Sequence, residues 1–202
     1  MPAAQKPRKQ PLQDRSTKTV EAIVEAAIRI LRQGGWSRLT TTRIAEKAGV
    51  SVGSLCQYFP NREAIAVEVA RQRTRAFLDA VLAVDLSGAR DLDEAVLRAM
   101  TVFVAEKRRT LDLSLAMKEA LPELQGRQAI IEEARRYVPG LRAKFLAVTG
   151  TAPDLARLAV ALAAVEGAVW ELLAQDPQAL DRPAAATTFT RLFLAALGDV
   201  NP

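Results

Sequence analysis

Apolar residues recur at intervals of three and four positions along most of the chain, which is the period of an α-helix. In the first such segment, residues 16–33, one stripe consists of Val20, Ile23, Val24, Ala27, Ile28 and Leu31. Long alternations of valine, isoleucine and threonine, which are typical of strands, are missing from the sequence. The pattern therefore predicts an all-α protein.

The stretch 40–62 contains two short helical patterns, at 41–48 and 52–58, separated by a turn that contains Gly49. Thr40, Ser51 and Asn61 each precede a helix start and carry a side-chain oxygen that can accept a hydrogen bond from a free backbone amide. Gly49 suits the left-handed conformation that ends many helices. Two helices joined in this way favour a helix-turn-helix, which presents its second helix to the major groove of DNA.

Further helical segments follow the helix-turn-helix. The predicted bounds are 62–84, 92–106, 110–121, 123–137, 141–148, 154–174 and 184–197. Pro139 and Gly140 are expected to kink or break the helix before them, because proline cannot donate a backbone hydrogen bond. With that interrupted helix counted once, the pattern predicts about nine helices.

Charge is unevenly distributed along the chain. Residues 1–75 contain 14 Lys and Arg against 6 Asp and Glu, whereas residues 76–202 contain 14 against 17. A basic N-terminal third suits a nucleic-acid-binding domain, although a solvated basic face without a partner has the same composition. We predict a flexible basic arm at 1–14, a helix-turn-helix DNA-binding domain at 15–74, and a larger helical ligand-binding and dimerisation domain at 75–202.

The residue types that most enzyme sites need are absent. The chain has no histidine and one cysteine, which excludes Ser-His-Asp and Cys-His catalysis, most zinc sites and an internal disulfide. No glycine-rich phosphate loop occurs, so we predict no enzyme, no cofactor and no metal. The N-terminus lacks an apolar signal core, and the weakly polar run 158–169 contains Glu166 and is too short to cross a bilayer. A cytoplasmic protein without membrane contact is expected.

The last two predicted helices are apolar over more of their circumference than a lone surface helix. Their candidate contact residues are Ala159, Ala163 and Gly167 on the first helix, and Phe189, Leu192, Phe193 and Ala196 on the second. We predict that these helices form the interface of a twofold-symmetric homodimer, which would match a palindromic DNA site. The alternative is a hairpin buried inside one monomer.

Glu166 lies within the apolar run of the penultimate helix, where a carboxylate needs a polar partner. The partner is either a cation or hydroxyl of a small-molecule effector, or an arginine of the same chain or of the other subunit in a structural ion pair, and we favour the ion pair. Candidate walls of an effector cavity are Met100, Phe103, Met117, Tyr137, Phe145 and Trp170. Methionine and aromatic residues at helical spacing are, however, more often ordinary core.

One motif has a family resemblance. Its elements, in order, are Thr, Ile-Ala, Ala-Gly-Val-Ser, Gly-x-Leu, Tyr-Phe and Asn-Arg-Glu, all within residues 40–63. This pattern resembles the DNA-binding domain of the tetracycline-repressor (TetR) family, and the likeness spans about residues 16–67. The resemblance implies a homodimeric transcriptional regulator, usually a repressor, that a small molecule releases from its operator. It also implies dimerisation through the last two long helices.

The resemblance further implies which residues contact double-stranded DNA. They are Thr40, Thr42 and Arg43 on the first helix, Val52, Gly53, Ser54, Gln57 and Tyr58 on the second, and Arg62 after it. Their chemistry agrees, because glutamine suits the N6/N7 edge of adenine, while hydroxyl groups and guanidinium suit phosphates. The chain departs from the family at Cys56, where an aromatic residue is common. We interpret Cys56 as a small residue tolerated on an exposed helix, with an oxidant sensor as the alternative.

These observations predict a dimeric, sequence-specific transcriptional regulator, most simply a repressor that a ligand releases from a palindromic operator. An activator or a ligand-independent DNA-binding protein of the same fold is the first alternative. A helical interaction or membrane-surface module and an enzyme that uses carboxylates alone are the others. Because the second helix carries few long polar groups, Gln57, phosphate anchoring and DNA shape are expected to carry much of the specificity.

Overall fold

The computed structural model describes residues 10–118 and 125–198 of the 202-residue chain. These residues form ten α-helices and two short 3-10 helices, which confirms the all-α prediction. Contacts divide the chain into two units. The N-terminal unit comprises Met1–Gln72 and Asp112–Ala129, and the C-terminal unit comprises Arg73–Leu111 and Ile130–Pro202.

The N-terminal unit contains the helix-turn-helix. Its helices are α1 (Gln10–Gly34), α2 (Thr41–Ala48), α3 (Val52–Tyr58) and the first half of α4 (Arg62–Leu82), with a 3-10 turn at Trp36–Arg38. The core consists of Ile23, Val24, Ala27, Leu31, Leu39, Ile44, Ala45, Leu55, Ile65, Ala66 and Val69, all buried. Within this unit, α1 packs against α2, and α2 packs against α3.

Helix α1 begins earlier than its apolar stripe predicts. It starts at Gln10 rather than at residue 16, so the last five residues of the predicted flexible arm, 10–14, are helical. Pro11 is the second residue of the helix, where a missing backbone amide costs no helical hydrogen bond. Residues 1–9 of the predicted arm lie outside the described part of the chain.

Helix α6 (Leu111–Lys118) also belongs to the N-terminal unit. The ion pair between Arg32 on α1 and Asp112 on α6, 3.2 Å long, links these two helices, while Leu113 and Met117 are buried. Helix α7 (Gln125–Arg135) follows after residues 119–124, which lie outside the described residues.

The bounds of helix α8 (Val138–Thr149) correct the prediction that Pro139 and Gly140 kink or break a helix. The break lies at residues 136–137, and Pro139 stands in the first turn of the next helix. Proline is favourable there because the first-turn amides have no helical acceptor. Gly140 is needed for close approach to α4, because a Cβ atom at this position would lie 3.1 Å from Cδ1 of Leu82.

The C-terminal unit is built on α5 (Leu92–Arg109), α9 (Leu155–Gln175) and α10 (Ala185–Leu197), with a 3-10 turn at Ala179–Asp181. Their buried residues form one cluster around Phe103, Val165, Phe189 and Phe193. Phe189 meets Phe103 edge to face with ring centroids 6.2 Å apart, and Phe193 stacks on Phe145 at 5.8 Å. Such aromatic contacts add directional attraction to the burial of apolar surface.

Helix α9 is longer and more apolar than the sequence argument against a membrane span assumed. Its 21 residues have a mean hydropathy of 1.5 in the best window, enough by length and composition to cross a bilayer. A core helix of a water-soluble protein passes the same test, and α9 buries Leu158, Ala161, Val165, Val169 and Leu173 on one side. The predicted run 158–169 is therefore part of a longer apolar helix, and 28% of the best window of this helix is buried.

Candidate nucleic-acid interface

The starts of α2 and α3 are fixed by side chains that accept hydrogen bonds from nearby backbone amides. Thr40 Oγ1 accepts from the Arg43 amide at 3.3 Å, and Ser51 Oγ accepts from the Ser54 amide at 3.0 Å. Gly49 ends α2 with φ 69°, in the left-handed region where a side chain would be strained. The predicted bounds of α2 and α3 and the caps at their starts are thereby confirmed.

Asn61 begins α4 in the same way, because its Oδ1 accepts from the Ala64 amide at 2.8 Å. Leu55 and Phe59 are buried, as their spacing of four residues predicts. Leu55 is the one buried residue of α3. This helix therefore packs against the rest of the unit along one side, and its other sides are accessible.

The accessible surface of α3 contains most of the residues predicted to contact DNA. Val52, Gly53, Gln57 and Tyr58 are exposed, as is Cys56, which the prediction left out of the contact set. Ser54 is half-buried, and its hydroxyl is hydrogen-bonded to that of Ser51 at 2.9 Å. Ser54 therefore contributes to the cap of α3 as well as to its outer surface.

Helix α2 carries the basic part of this surface. Thr42 and Arg43 are exposed, and Arg43 Nη1 lies 3.5 Å from the Arg38 carbonyl oxygen, at the outer limit for a hydrogen bond. Thr40 is half-buried, with its hydroxyl oxygen already accepting the cap hydrogen bond.

A hollow of about 410 Å³ lies beside Arg43. It is lined by Ile30, Gln33, Arg38, Arg43, Glu46 and Lys47. The sequence analysis missed Arg38 and Lys47, because charge was counted over 75 residues rather than followed along one face of α2. Lys47 sits four residues after Arg43 on the same face, and its Nζ donates to Gln33 Oε1 at 3.3 Å. This local excess of cations suits contact with phosphate groups.

Arg62, predicted to anchor a phosphate, is held by partners within the unit. Its Nη1 donates to the Leu39 carbonyl at 3.1 Å, and its Nε donates to Glu63 Oε1 at 3.0 Å. The guanidinium also lies over the Trp36 ring, 4.4 Å from the ring centroid. The side chain therefore joins the start of α4 to the connection between α1 and α2.

The residues predicted to line an effector cavity belong to both units. Met117 is buried in α6 and belongs to the N-terminal unit, whereas the other five belong to the C-terminal unit. Of these five, Met100 and Phe103 are buried in the main cluster, and Phe145 packs against that cluster. Tyr137 is half-buried; desolvation, and secondarily a hydrogen bond with Asp79, raise the pKa of its phenol.

Glu166 has two polar partners within the chain. It accepts from Lys107 Nζ at 2.6 Å and from Trp170 Nε1 at 3.0 Å. Lys107 is the more buried member of the ion pair, with its side chain 18% exposed, and its Nζ lies 5.0 Å from the Phe77 ring centroid and 5.5 Å from that of Phe103. Glu166 therefore has an ion-pair partner within the chain, and this partner is a lysine rather than the predicted arginine. Lys107 was missed because it is 59 residues away along the chain.

The residues predicted for the dimer interface divide into two groups. Ala159, Ala163 and Gly167 are exposed on α9, and Leu192 and Ala196 are partly buried. Phe189 and Phe193 are only 1% and 3% exposed within a single chain, which corrects their assignment to the interface. They point into the protomer because α10 places them against Phe103 and Phe145.

Comparisons with known proteins agree with the helix-turn-helix geometry. The family profile described as "Bacterial regulatory proteins, tetR family" matches residues 23–69, which include α2, α3 and the residues that cap them. Over these residues the chain matches the TetR family. This is a family of transcriptional regulators rather than enzymes. The profile begins inside α1 and ends inside α4, so it covers the helices that hold α2 and α3 in place.

A curated relative and several solved structures are similar to this chain. The Fatty acid metabolism regulator protein of Bacillus subtilis (strain 168) is 28% identical over 57 residues, a match that spans 28% of this chain and 29% of the relative.

Two of the similar structures are complexes with a bound small molecule. The multidrug binding protein EbrR complexed with imidazole is 22% identical, with 91% of this chain and 96% of that chain covered at a TM-score of 0.66. FadR from Bacillus subtilis in complex with stearoyl-CoA is 16% identical, with 87% and 98% covered at 0.62. A TetR-family regulator from Streptomyces coelicolor is 21% identical, with 91% and 99% covered at 0.63. At these identities the structures support the fold of the whole chain.

Proposed function

We propose that this protein is a homodimeric repressor that binds a palindromic operator through α3 and is released by a small-molecule effector in its C-terminal unit. The observation that carries the proposal is the exposed surface of α3, a helix with one buried residue, capped at both ends. A helix presented in this way enters the major groove with its N-terminal residues against base edges. Expression in the bacterial cytoplasm, where the operator is, follows from this role.

Basic residues on α2 and just before it supply contacts that do not depend on the DNA sequence. Arg43, Lys47 and Arg38 line the hollow beside α2, and we assign phosphate contacts to them. Tyr58 and Thr40 remain candidates for phosphate contact through their hydroxyl groups. Arg62 contributes chiefly by positioning α4, since its guanidinium already has three partners within the unit.

The dimer is proposed to form through the exposed side of α9. Ala156, Val160, Ala163 and Gly167 recur at three- and four-residue spacing on the side opposite the buried residues, and Val160 is 59% exposed. Small side chains allow two helix backbones to approach closely, and burial of the stripe removes apolar surface from water. A twofold axis through this side would place two α3 helices for the two halves of a palindrome.

The effector is proposed to bind among the aromatic side chains of the C-terminal unit. Two structures that share this fold are complexes with stearoyl-CoA and with imidazole, so the fold accommodates small molecules of different chemistry. Here Phe103, Phe145 and Trp170 offer apolar contacts, and the Lys107–Glu166 pair offers charge of both signs. The effector releases the protein from its operator if it binds the conformation of low operator affinity more tightly than the conformation of high operator affinity.

Selection of bound fragments from random duplex DNA tests the proposal. A palindromic consensus is expected, and Gln57→Ala should relax base preference at one position of each half-site. Lys47→Ala should weaken binding to all sequences and reduce the salt dependence by about one counterion per subunit.

The matched control is Arg90→Ala, which removes one positive charge from the C-terminal unit and should leave both properties unchanged. If no fragment is enriched over random DNA, the proposed function is wrong. A screen for ligands that raise the melting temperature and lower operator affinity then tests the effector.

A further inference from the structure

Helix α3 carries no charged side chain. Its sequence from Val52 to Tyr58 is VGSLCQY, without Lys, Arg, Asp or Glu. The commonest base-specific contact in the major groove is a bidentate one from Arg or Lys to guanine. The basic residues nearest in sequence are on α2 and at the start of α4, and Arg62 there is engaged within the unit. The accessible surface of α3 therefore lacks the usual reader of G·C pairs.

The accessible residues of α3 stand in three columns, because residues four apart share one side of a helix. Val52 and Cys56 form an apolar column, and Val52 is 40% exposed. Gly53 and Gln57 form the middle column, directly opposite the buried Leu55. Ser54 and Tyr58 form the third column, in which the Ser54 hydroxyl is already bonded to Ser51.

Two of the three columns have a definite base partner. The C5-methyl group of thymine is the apolar feature of the major groove, and it suits the side chains of Val52 and Cys56. The carboxamide of Gln57 suits the N6 donor and N7 acceptor of adenine. Gly53 lacks a side chain, and a Cβ atom there would meet only Ser51 Oγ at 3.9 Å, so the middle column leaves space for the Gln57 side chain to reach the base edge.

We propose that α3 reads A·T base pairs, with Val52 and Cys56 contacting thymine methyl groups and Gln57 contacting adenine in a neighbouring pair. The inference rests on the proposed function, because α3 reads bases only if the protein binds an operator. It makes Cys56 a specificity-determining residue rather than a tolerated surface residue. It also identifies the class of operator as one with A·T pairs at the centre of each half-site contact.

Replacement of thymine by deoxyuridine tests the inference, because it deletes the C5-methyl group and leaves the Watson–Crick pairing unchanged. Each thymine of the selected operator is replaced in turn, at symmetric positions of both half-sites, and the dissociation constant of the intact dimer is measured. Loss of one methyl contact in each half-site should weaken binding by about fourfold per half-site, or about fifteenfold for the pair. Thymines outside the contact should show no change.

Protein variants assign the effect to side chains. In Cys56→Ser and Val52→Ala, the contacting apolar group is removed, so the deoxyuridine penalty at the matching position should fall to less than twofold. The control variant Arg90→Ala, in the C-terminal unit, should keep the full penalty. Circular dichroism and melting temperature establish that each variant is folded, and both changed side chains of α3 are exposed in the free protein.

The outcomes separate this inference from the proposed function. A selected operator with deoxyuridine penalties that vanish in the α3 variants supports both. A selected operator whose binding depends on G·C pairs and ignores every thymine methyl overturns the inference and leaves the regulator intact. Failure to select any operator overturns the proposed function, and the inference with it.

Discussion

Replacing Arg62 with alanine removes three contacts at once from the N-terminal unit. The guanidinium donates to the Leu39 carbonyl at 3.1 Å and to Glu63 at 3.0 Å, and it covers the Trp36 ring. These contacts join α4 to the connection that leads into α2. Arg62→Ala should therefore destabilise the unit that presents α3, in addition to any effect on a phosphate contact.

The magnitude follows from the individual contacts. A hydrogen bond from a charged donor contributes about 1.5–3 kcal/mol, and the half-buried position of Arg62 favours the lower end. The cation–π contact adds about 0.5–1 kcal/mol. The ion pair with Glu63 is 36% and 40% exposed at its two side chains, so it adds little. The expected loss is about 2–3 kcal/mol of unfolding free energy.

The fluorescence of Trp36 provides the assay. The chain has two tryptophans, so in a Trp170→Phe background the fluorescence during urea unfolding reports on the N-terminal unit alone. Arg62→Ala should lower the midpoint and change the emission of folded Trp36, which loses the cation above its ring. Arg62→Lys should be nearly as unstable, because an ammonium cannot reproduce the planar contact with both partners.

Arg71→Ala is the matched control on the same helix, since Arg71 makes no hydrogen bond or ion pair with the side chains and backbone that the structure describes. It should change the unfolding free energy by less than about 0.5 kcal/mol. A different result would refute the structural role of Arg62. In that result Arg62→Ala has the unfolding free energy of its parent but a lower operator affinity, and Arg62→Lys restores this affinity. Arg62 would then act as a phosphate anchor.

Three further predictions concern the C-terminal unit. Gly167→Leu should leave the monomer folded, because a Cβ atom at this position has open space. It should raise the dissociation constant of the dimer at least tenfold, as measured by analytical ultracentrifugation. The control Ala143→Leu, on α8, should leave that constant unchanged. Glu166→Gln should lower unfolding free energy by about 1–3 kcal/mol by leaving Lys107 without its counter-charge, and unchanged effector affinity would exclude a ligand role. Hydrogen bonds from the Arg90 and Arg98 side chains lower the pKa of Glu94 from 4.5 to about 2, which an NMR titration of this carboxyl group should show. The stabilising contribution of Glu94 should therefore be present above pH 4.5 and disappear as the pH falls through 2.

Several features of the fold could be predicted from short segments. Thr40, Gly49 and Ser51 fixed the bounds of α2 and α3 to the residue, because a cap acts on amides two or three positions away. The buried column of α3 followed from the spacing of Leu55 and Phe59. The start of α1 was missed because residues 10–14 carry no apolar stripe, and a stripe reveals only the part of a helix that contacts a core.

The candidate site was predictable in position more than in detail. Accessibility of Val52, Gln57 and Tyr58 follows from one helical wheel once Leu55 is placed inside. The basic hollow formed by Arg38, Arg43 and Lys47 depends on how α1, the 3-10 turn and α2 fold together, so the spacing of these residues alone did not reveal it.

The sequence by itself determined the helical class, the two helices of the helix-turn-helix, their caps and the surface of α3. These properties depend on interactions within about four residues, which the order of amino acids states directly. Only the tertiary structure decided that Arg62 is occupied inside its unit, that Phe189 and Phe193 face the protomer core, and that Lys107 is the partner of Glu166. Each of these depends on contacts between distant segments, and a side chain's neighbours across helices are set by packing rather than by its position in the chain.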